Sequence, residues 1–146
     1  MIKKLFRQIY YFLFDIIMSF RNLNSDKNFI VILPRLISNI LMKVLIYDKK
    51  NKKFFTQSAR NKFDILTIFE IFAQESYQLN NLKHWEKINK KFINLKNNYN
   101  KPLLIDCGSN IGSSCEYFSR IFENIYSILV EPNKENAEFC KKNIYN

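Results

Sequence analysis

Apolar residues run from Leu5 to Phe20, broken only at Arg7, Gln8, Asp15 and Ser19, and the run predicts a helix. A second apolar stretch, roughly 33–46, also reads as helical, although its Ile, Leu and Val content is that of a strand in part. Lys43–Tyr47 and Lys53–Thr56 flank the turn-like Asp48-Lys49-Lys50-Asn51-Lys52 and predict a hairpin. From Asp64 to Tyr77, Ile65, Ile68, Phe69 and Phe72 fall on one helical face, with Asp64 placed as the cap. Leu82, Trp85, Ile88, Phe92 and Leu95 repeat that spacing in a second amphipathic helix, where Trp85 reads as a core anchor and His84 sits just off the stripe.

The pattern changes at Lys101-Pro102. Leu103-Leu104-Ile105 is a short, wholly apolar run ending in Asp106, and Ile128-Leu129-Val130 is another ending in Glu131. Both read as buried parallel strands. Between them Ile111, Cys115, Phe118 and Phe122 form a helical stripe; after them Asn133 can cap a helix carrying Ala137, Cys140 and Ile144 on one face. Strand, helix, strand, helix is the opening of a doubly wound α/β sheet. The chain therefore divides into a helical and hairpin lead-in (1–61), amphipathic helices packing on the core (62–100), and the start of the sheet (101–146).

Composition changes this picture in three places. The formal net charge of +10 on 146 residues would suit a phosphate-rich partner, but the lysines are spread over almost every segment beside asparagines, as on a solvated surface. Arginine is scarce, which suits bidentate reading of phosphates or bases poorly, so nucleic acid is not expected as a partner. Cys107, Cys115 and Cys140 form no C-x-x-C pair and His84 is the single histidine; no metal site is expected, and the thiols read as small core hydrophobes of a reducing, cytoplasmic compartment. The N-terminal run lacks a small-residue cleavage site and is too short and too charged to span a bilayer. Three readings of 1–20 stand: a helix packed on the domain, a peripheral helix lying in a membrane interface, and, last, a secretion signal.

The candidate chemistry lies in Asp106-Cys107-Gly108-Ser109-Asn110-Ile111-Gly112. The chain has two glycines, and both are in this loop. Glycine permits a sharp turn and lets a ligand lie on the main chain, and the following helix start offers N–H groups. Asp106 could hold loop N–H groups or a cationic amine. Glu131, at the end of the second strand, stands where an acid accepts ribose hydroxyls. A dinucleotide fingerprint would have glycine where Asn110 stands, which favours S-adenosylmethionine over a pyrophosphate-bearing cofactor.

Pro102 through Gly112, Tyr117-Phe118, Val130-Glu131-Pro132 and Asn136 together resemble the cofactor half of FkbM-type S-adenosylmethionine-dependent methyltransferases. Asp64, Ile71-Phe72, Tyr77, Leu82 and Trp85 resemble the helical lead-in of part of that family, so the likeness covers about 62–146. Ser109 stands where the family commonly has alanine. The resemblance implies a Rossmann-like class I methyltransferase fold preceded by a mainly helical region, with 101–146 an incomplete cofactor-binding domain. It implies that Asp106, Gly108, Ser109, Asn110 and Gly112 hold the methionine part of the cofactor and Glu131 the ribose. The expected activity is O-methylation of a small-molecule or glycan hydroxyl, with no catalytic residue to be named. The chain itself is expected to be the front part of such an enzyme, inactive alone; a non-enzymatic cofactor-binding or membrane-associated remnant is the alternative.

Overall fold

The computed structural model describes residues 2–98 and 101–144. In chain order the elements are α1 (Ile2–Leu23), β1 (Phe29–Val31), α2 (Arg35–Leu41), β2 (Lys43–Asp48), β3 (Lys53–Ser58), α3 (Lys62–Phe72), a 3-10 turn (Leu79–Asn81), α4 (Trp85–Asn97), β4 (Leu103–Cys107), α5 (Ser113–Phe122), β5 (Tyr126–Val130) and α6 (Lys134–Ile144).

The expected hairpin is present, with Ile46 opposite Phe55 and Asp48 opposite Lys53. Its turn is closed by Asp48, 1% exposed, whose carboxylate accepts the Asn51 backbone N–H at 3.0 Å and side-chain amide at 2.9 Å. The 33–46 stretch splits in two. Met42, with φ at 50°, ends α2 in the left-handed region, and the chain re-emerges as β2. A strand that the sequence pattern did not reveal, β1, adds to β2 with Val31 opposite Ile46. Its three residues are too few to show a period. The region before β4 is mostly helix, as expected, but it also carries a three-stranded antiparallel sheet, order β1-β2-β3.

α3 forms as expected but one turn earlier, and its cap is Asn61, not Asp64. The Asn61 side-chain oxygen accepts the N–H groups of Phe63 and Asp64 at 2.8 and 3.2 Å. Asp64 instead pairs with Arg60 at 2.8 Å. Val44 and Ile46 of the sheet, Ile65, Ile68 and Phe72 of α3, and Ile111 and Tyr117 next to or on α5 share one core. Tyr117 joins its halves, its ring 5.2 Å from Phe29 and 5.9 Å from Phe72. α4 buries no residue fully and leans on the end of α5, where Phe92 and Trp85 meet the Phe122 ring at 4.7 and 6.2 Å.

β4 and β5 pair in parallel, Leu103 opposite Tyr126 and Cys107 opposite Val130. These strands are covered on one face only, contrary to the expectation of buried strands. Leu104, Asp106, Ser127 and Leu129 are half-buried, whereas Leu103, Ile105, Cys107, Tyr126, Ile128 and Val130 are exposed. A run of apolar residues marks a strand as able to be buried on both faces; it does not supply the second cover. Cys115 and Cys140 are buried, but Cys107 is not a core residue. Among the described residues no helix is long and apolar enough to cross a membrane.

Candidate ligand-binding loop

β4 delivers Asp106 to the loop, where its carboxylate accepts the Ser114 hydroxyl at 2.6 Å. The chain then turns through Gly108 at φ 87°, Asn110 at φ 47° and Gly112 at φ 85°, left-handed conformations that glycine and asparagine tolerate best. The turn is pinned to the neighbouring strand. The N–H groups of Gly108 and Ser109 both donate to the Val130 carbonyl, at 2.8 and 3.2 Å, and the Gly112 N–H donates to the Ser109 carbonyl at 2.8 Å.

Glu131 follows β5 and clasps the loop. One carboxylate oxygen accepts the Asn110 N–H at 2.9 Å; the other accepts the Asn133 N–H at 3.0 Å and the Asn136 amide at 3.2 Å. The Asn133 N–H, supported by Asn110, Asn136 and the Arg60 charge, outweighs the desolvation and holds the carboxyl below its ordinary pKa. Asn133 also caps α6, accepting the Asn136 N–H at 3.0 Å.

The two glycines differ in kind. A Cβ on Gly108 would meet nothing within 4 Å, so this side of the loop is open. A Cβ on Gly112 would lie 2.9 Å from the Cys140 sulfur, 3.2 Å from Ile144 Cδ1 and 3.3 Å from the Cys140 carbonyl. Gly112 allows close approach of α6, whereas Gly108 leaves room beyond the molecule. Ser109, 2% exposed, faces inward, its hydroxyl 3.8 Å from the Cys140 sulfur. Of the six residues singled out from sequence, Gly108, Ser109 and Asn110 line one cleft, Asp106 accepts the hydroxyl of Ser114 on the same lining, Glu131 accepts the Asn110 N–H, and Gly112 packs against α6.

Three further residues hold the loop, and sequence periodicity did not mark them. The Arg60 guanidinium pairs with Asp64, donates to Asn136 and reaches Asn110 at 3.5 Å. Asn143, 3% exposed, donates to the Ile111 and Ser58 carbonyls at 2.9 and 3.1 Å and accepts the Ser58 N–H at 2.9 Å. Gln57, fully buried, accepts the Ser113 hydroxyl at 2.9 Å. The available signals were Asn136, within the Glu-Pro motif, and the amides Gln57 and Asn143, polar residues lying beside apolar helix and strand positions.

A cleft of about 120 Å³ opens between α3 and the loop, lined by Thr67, Ile71, Tyr77, Gly108, Ser109 and Ser114 among others. That volume suits the amino-acid end of a ligand rather than a whole nucleoside. Larger hollows, of about 260 and 470 Å³, lie along α1 and do not reach the loop. The cleft lining contains no carboxylate and no histidine; His84 is exposed at the start of α4. Burial pushes the thiols of Cys115 and Cys140 up. Among the described residues no cluster of three or more His, Cys, Asp or Glu could hold a metal ion.

No family model matches the chain, and no solved structure does. The chain is similar to a protein named ATP synthase subunit delta from Wigglesworthia glossinidia brevipalpis, 31% identical over 111 residues. The match covers 72% of this chain and 62% of that relative, so the chain spans somewhat less than two thirds of its length. The match overturns the expectation of a methyltransferase, and with it the expectation of an enzyme.

Proposed function

We propose that the chain acts as a binding module whose crevice at the carboxyl ends of β4 and β5 takes S-adenosylmethionine or a compound of the same adenosyl class. The observation that carries this reading is the open side of Gly108, in a loop flanked by Asp106 near the end of β4 and by Glu131 just after β5, two paired parallel strands. At such a crevice a ligand can lie on bare backbone. The residues fit the group in kind: Asp106 suits an ammonium, and Glu131, with its pKa held low, is an ionised acceptor for ribose hydroxyls. The 120 Å³ cleft would receive the methionine end, leaving the adenosine along the strand ends. The motif resemblance described above supports the same ligand class. The free thiols fit a cytoplasmic setting.

Isothermal titration of the full chain with S-adenosylmethionine, S-adenosylhomocysteine and ATP tests the reading. Saturable binding of the two adenosyl compounds is expected, lost in Gly108→Val and weakened in Glu131→Gln. Absence of binding by the wild-type chain, or undiminished binding by Gly108→Val, would sink it.

The match to ATP synthase subunit delta favours a second reading, in which the chain serves as a subunit of an ATP-synthase-type assembly. Co-expression of the tagged chain with the ATP synthase subunits of the same cell tests it. Stoichiometric co-purification is the expected result, and recovery of the chain alone would refute it.

A further inference from the structure

α1 meets the rest of the protein with its polar side. Asp15 and Asn22 are 6% and 3% exposed. Asp15 accepts the Arg35 N–H at 2.8 Å and pairs with its guanidinium at 2.7 Å. The Ser19 hydroxyl donates to the Val31 carbonyl at 2.5 Å, and the Asn22 amide to the Ala73 carbonyl at 3.3 Å. At about 100° per residue these three side chains fall within about 60° of one another. The opposite side is apolar and bare: Phe6, Ile9, Leu13, Ile17 and Phe20 are 68%, 47%, 52%, 62% and 65% exposed. With Leu5 and Tyr10 at its edges this face spans an arc of about 140°.

A surface helix normally does the reverse, burying its apolar stripe in the protein. The charges around the bare arc say what would cover it. The single acid of α1 is Asp15, which is buried and paired on the far side. Lys3, Arg7 and Arg21 are exposed and lie along the Tyr10 margin of the arc. An apolar arc this wide exceeds the narrow seam of a two-helix contact, and a formal net charge of +10 opposes a second copy of the chain. A basic rim on a broad apolar face complements the surface of an anionic bilayer.

We propose that α1 lies in the plane of an anionic membrane leaflet, its apolar arc at the headgroup–acyl boundary and Lys3, Arg7 and Arg21 against lipid phosphates. The helix, about 33 Å long at 1.5 Å per residue, lies along the surface, and Asp15, Ser19 and Asn22 hold the remaining elements on its aqueous side. This proposal is independent of the ligand reading.

Sedimentation of the full chain with vesicles tests it, using phosphatidylcholine alone and phosphatidylcholine with one third phosphatidylserine. Binding to the anionic vesicles is expected to exceed binding to the neutral ones and to weaken with salt. Ile9→Asp with Phe20→Asp should lower binding about tenfold or more, with the far-ultraviolet circular dichroism of the folded chain retained because both positions are exposed. Arg7→Glu with Arg21→Glu should abolish the preference for anionic lipid. A wild-type chain that stays in the supernatant at low salt overturns the proposal. So does sedimentation of the folded Ile9→Asp, Phe20→Asp variant like the wild type, or an oligomer that this variant dissociates without any vesicle binding.

Discussion

Alanine at the two loop glycines should separate a backbone cost from a crowding cost. Both positions have left-handed φ, at 87° for Gly108 and 85° for Gly112, and a Cβ in that region costs about 1–2 kcal/mol. At Gly108 nothing stands within 4 Å of the new atom, so the cost should end there. At Gly112 the new Cβ would sit 2.9 Å from the Cys140 sulfur. The thiol can swing aside, but Ile144 Cδ1 at 3.2 Å and the Cys140 carbonyl at 3.3 Å must also give. Overpacking of this kind adds about 1–3 kcal/mol, and the mobility of the thiol puts the expected addition near the lower end. Gly112→Ala should therefore be less stable than Gly108→Ala by about 1 kcal/mol. Urea titrations of both variants and the wild type measure this as a shift in midpoint at constant slope. Adding Cys140→Ala should restore part of the difference, because it removes the sulfur while leaving the carbonyl in place. Equal stability of the two glycine variants, or no coupling to Cys140, would refute close approach of α6 as the reason for Gly112.

Two further outcomes follow from the side chains behind the loop. Asn143→Ala leaves the buried Ser58 N–H and the Ser58 and Ile111 carbonyls without this partner, and should cost about 1–3 kcal/mol; a melting temperature unchanged from wild type would remove the amide from the account of how α6 is held. For Asp64, burial alone raises the carboxyl pKa, but the hydrogen bonds and charge of Arg60 outweigh it and leave the value lowered. A carboxylate with a depressed folded pKa stabilises above its unfolded value, about 3.9, and that stability is lost as pH falls through the folded value. Asp64→Asn should thus be less stable than wild type at neutral pH, with the gap closing in acid. Urea midpoints across that range check this, and a gap independent of pH would show that the ion pair is not its source.

Much of the fold was legible wherever its cause was local. The hairpin over 43–58 follows from two short apolar runs around a polar turn, and β4, α5, β5 and α6 follow from runs whose period and breakers lie within a few residues. The cap of α3 is ambiguous in sequence because Asn61 and Asp64 are both capping residues; in the fold Asn61 caps and Asp64 pairs with Arg60. β1 has no local signature because strand identity there comes from pairing with β2, not from three residues of its own.

The loop is written in local sequence: two glycines and an asparagine where left-handed backbone is required, an acid before it and another after the next strand. Local sterics limit those conformations to few residue types, so the residues announce the turn. Packing between distant segments is what leaves Gly108 facing open space while Gly112 admits α6, and what lets Arg60, Gln57 and Asn143 tie the loop to the lead-in. The same holds for α1. Its period shows that one side is apolar and the other polar, but which side meets the protein depends on Arg35, Val31 and Ala73 offering partners to Asp15, Ser19 and Asn22. A helical pattern fixes the angle between residues along the chain; the neighbour that each angle faces is chosen by residues far away in sequence.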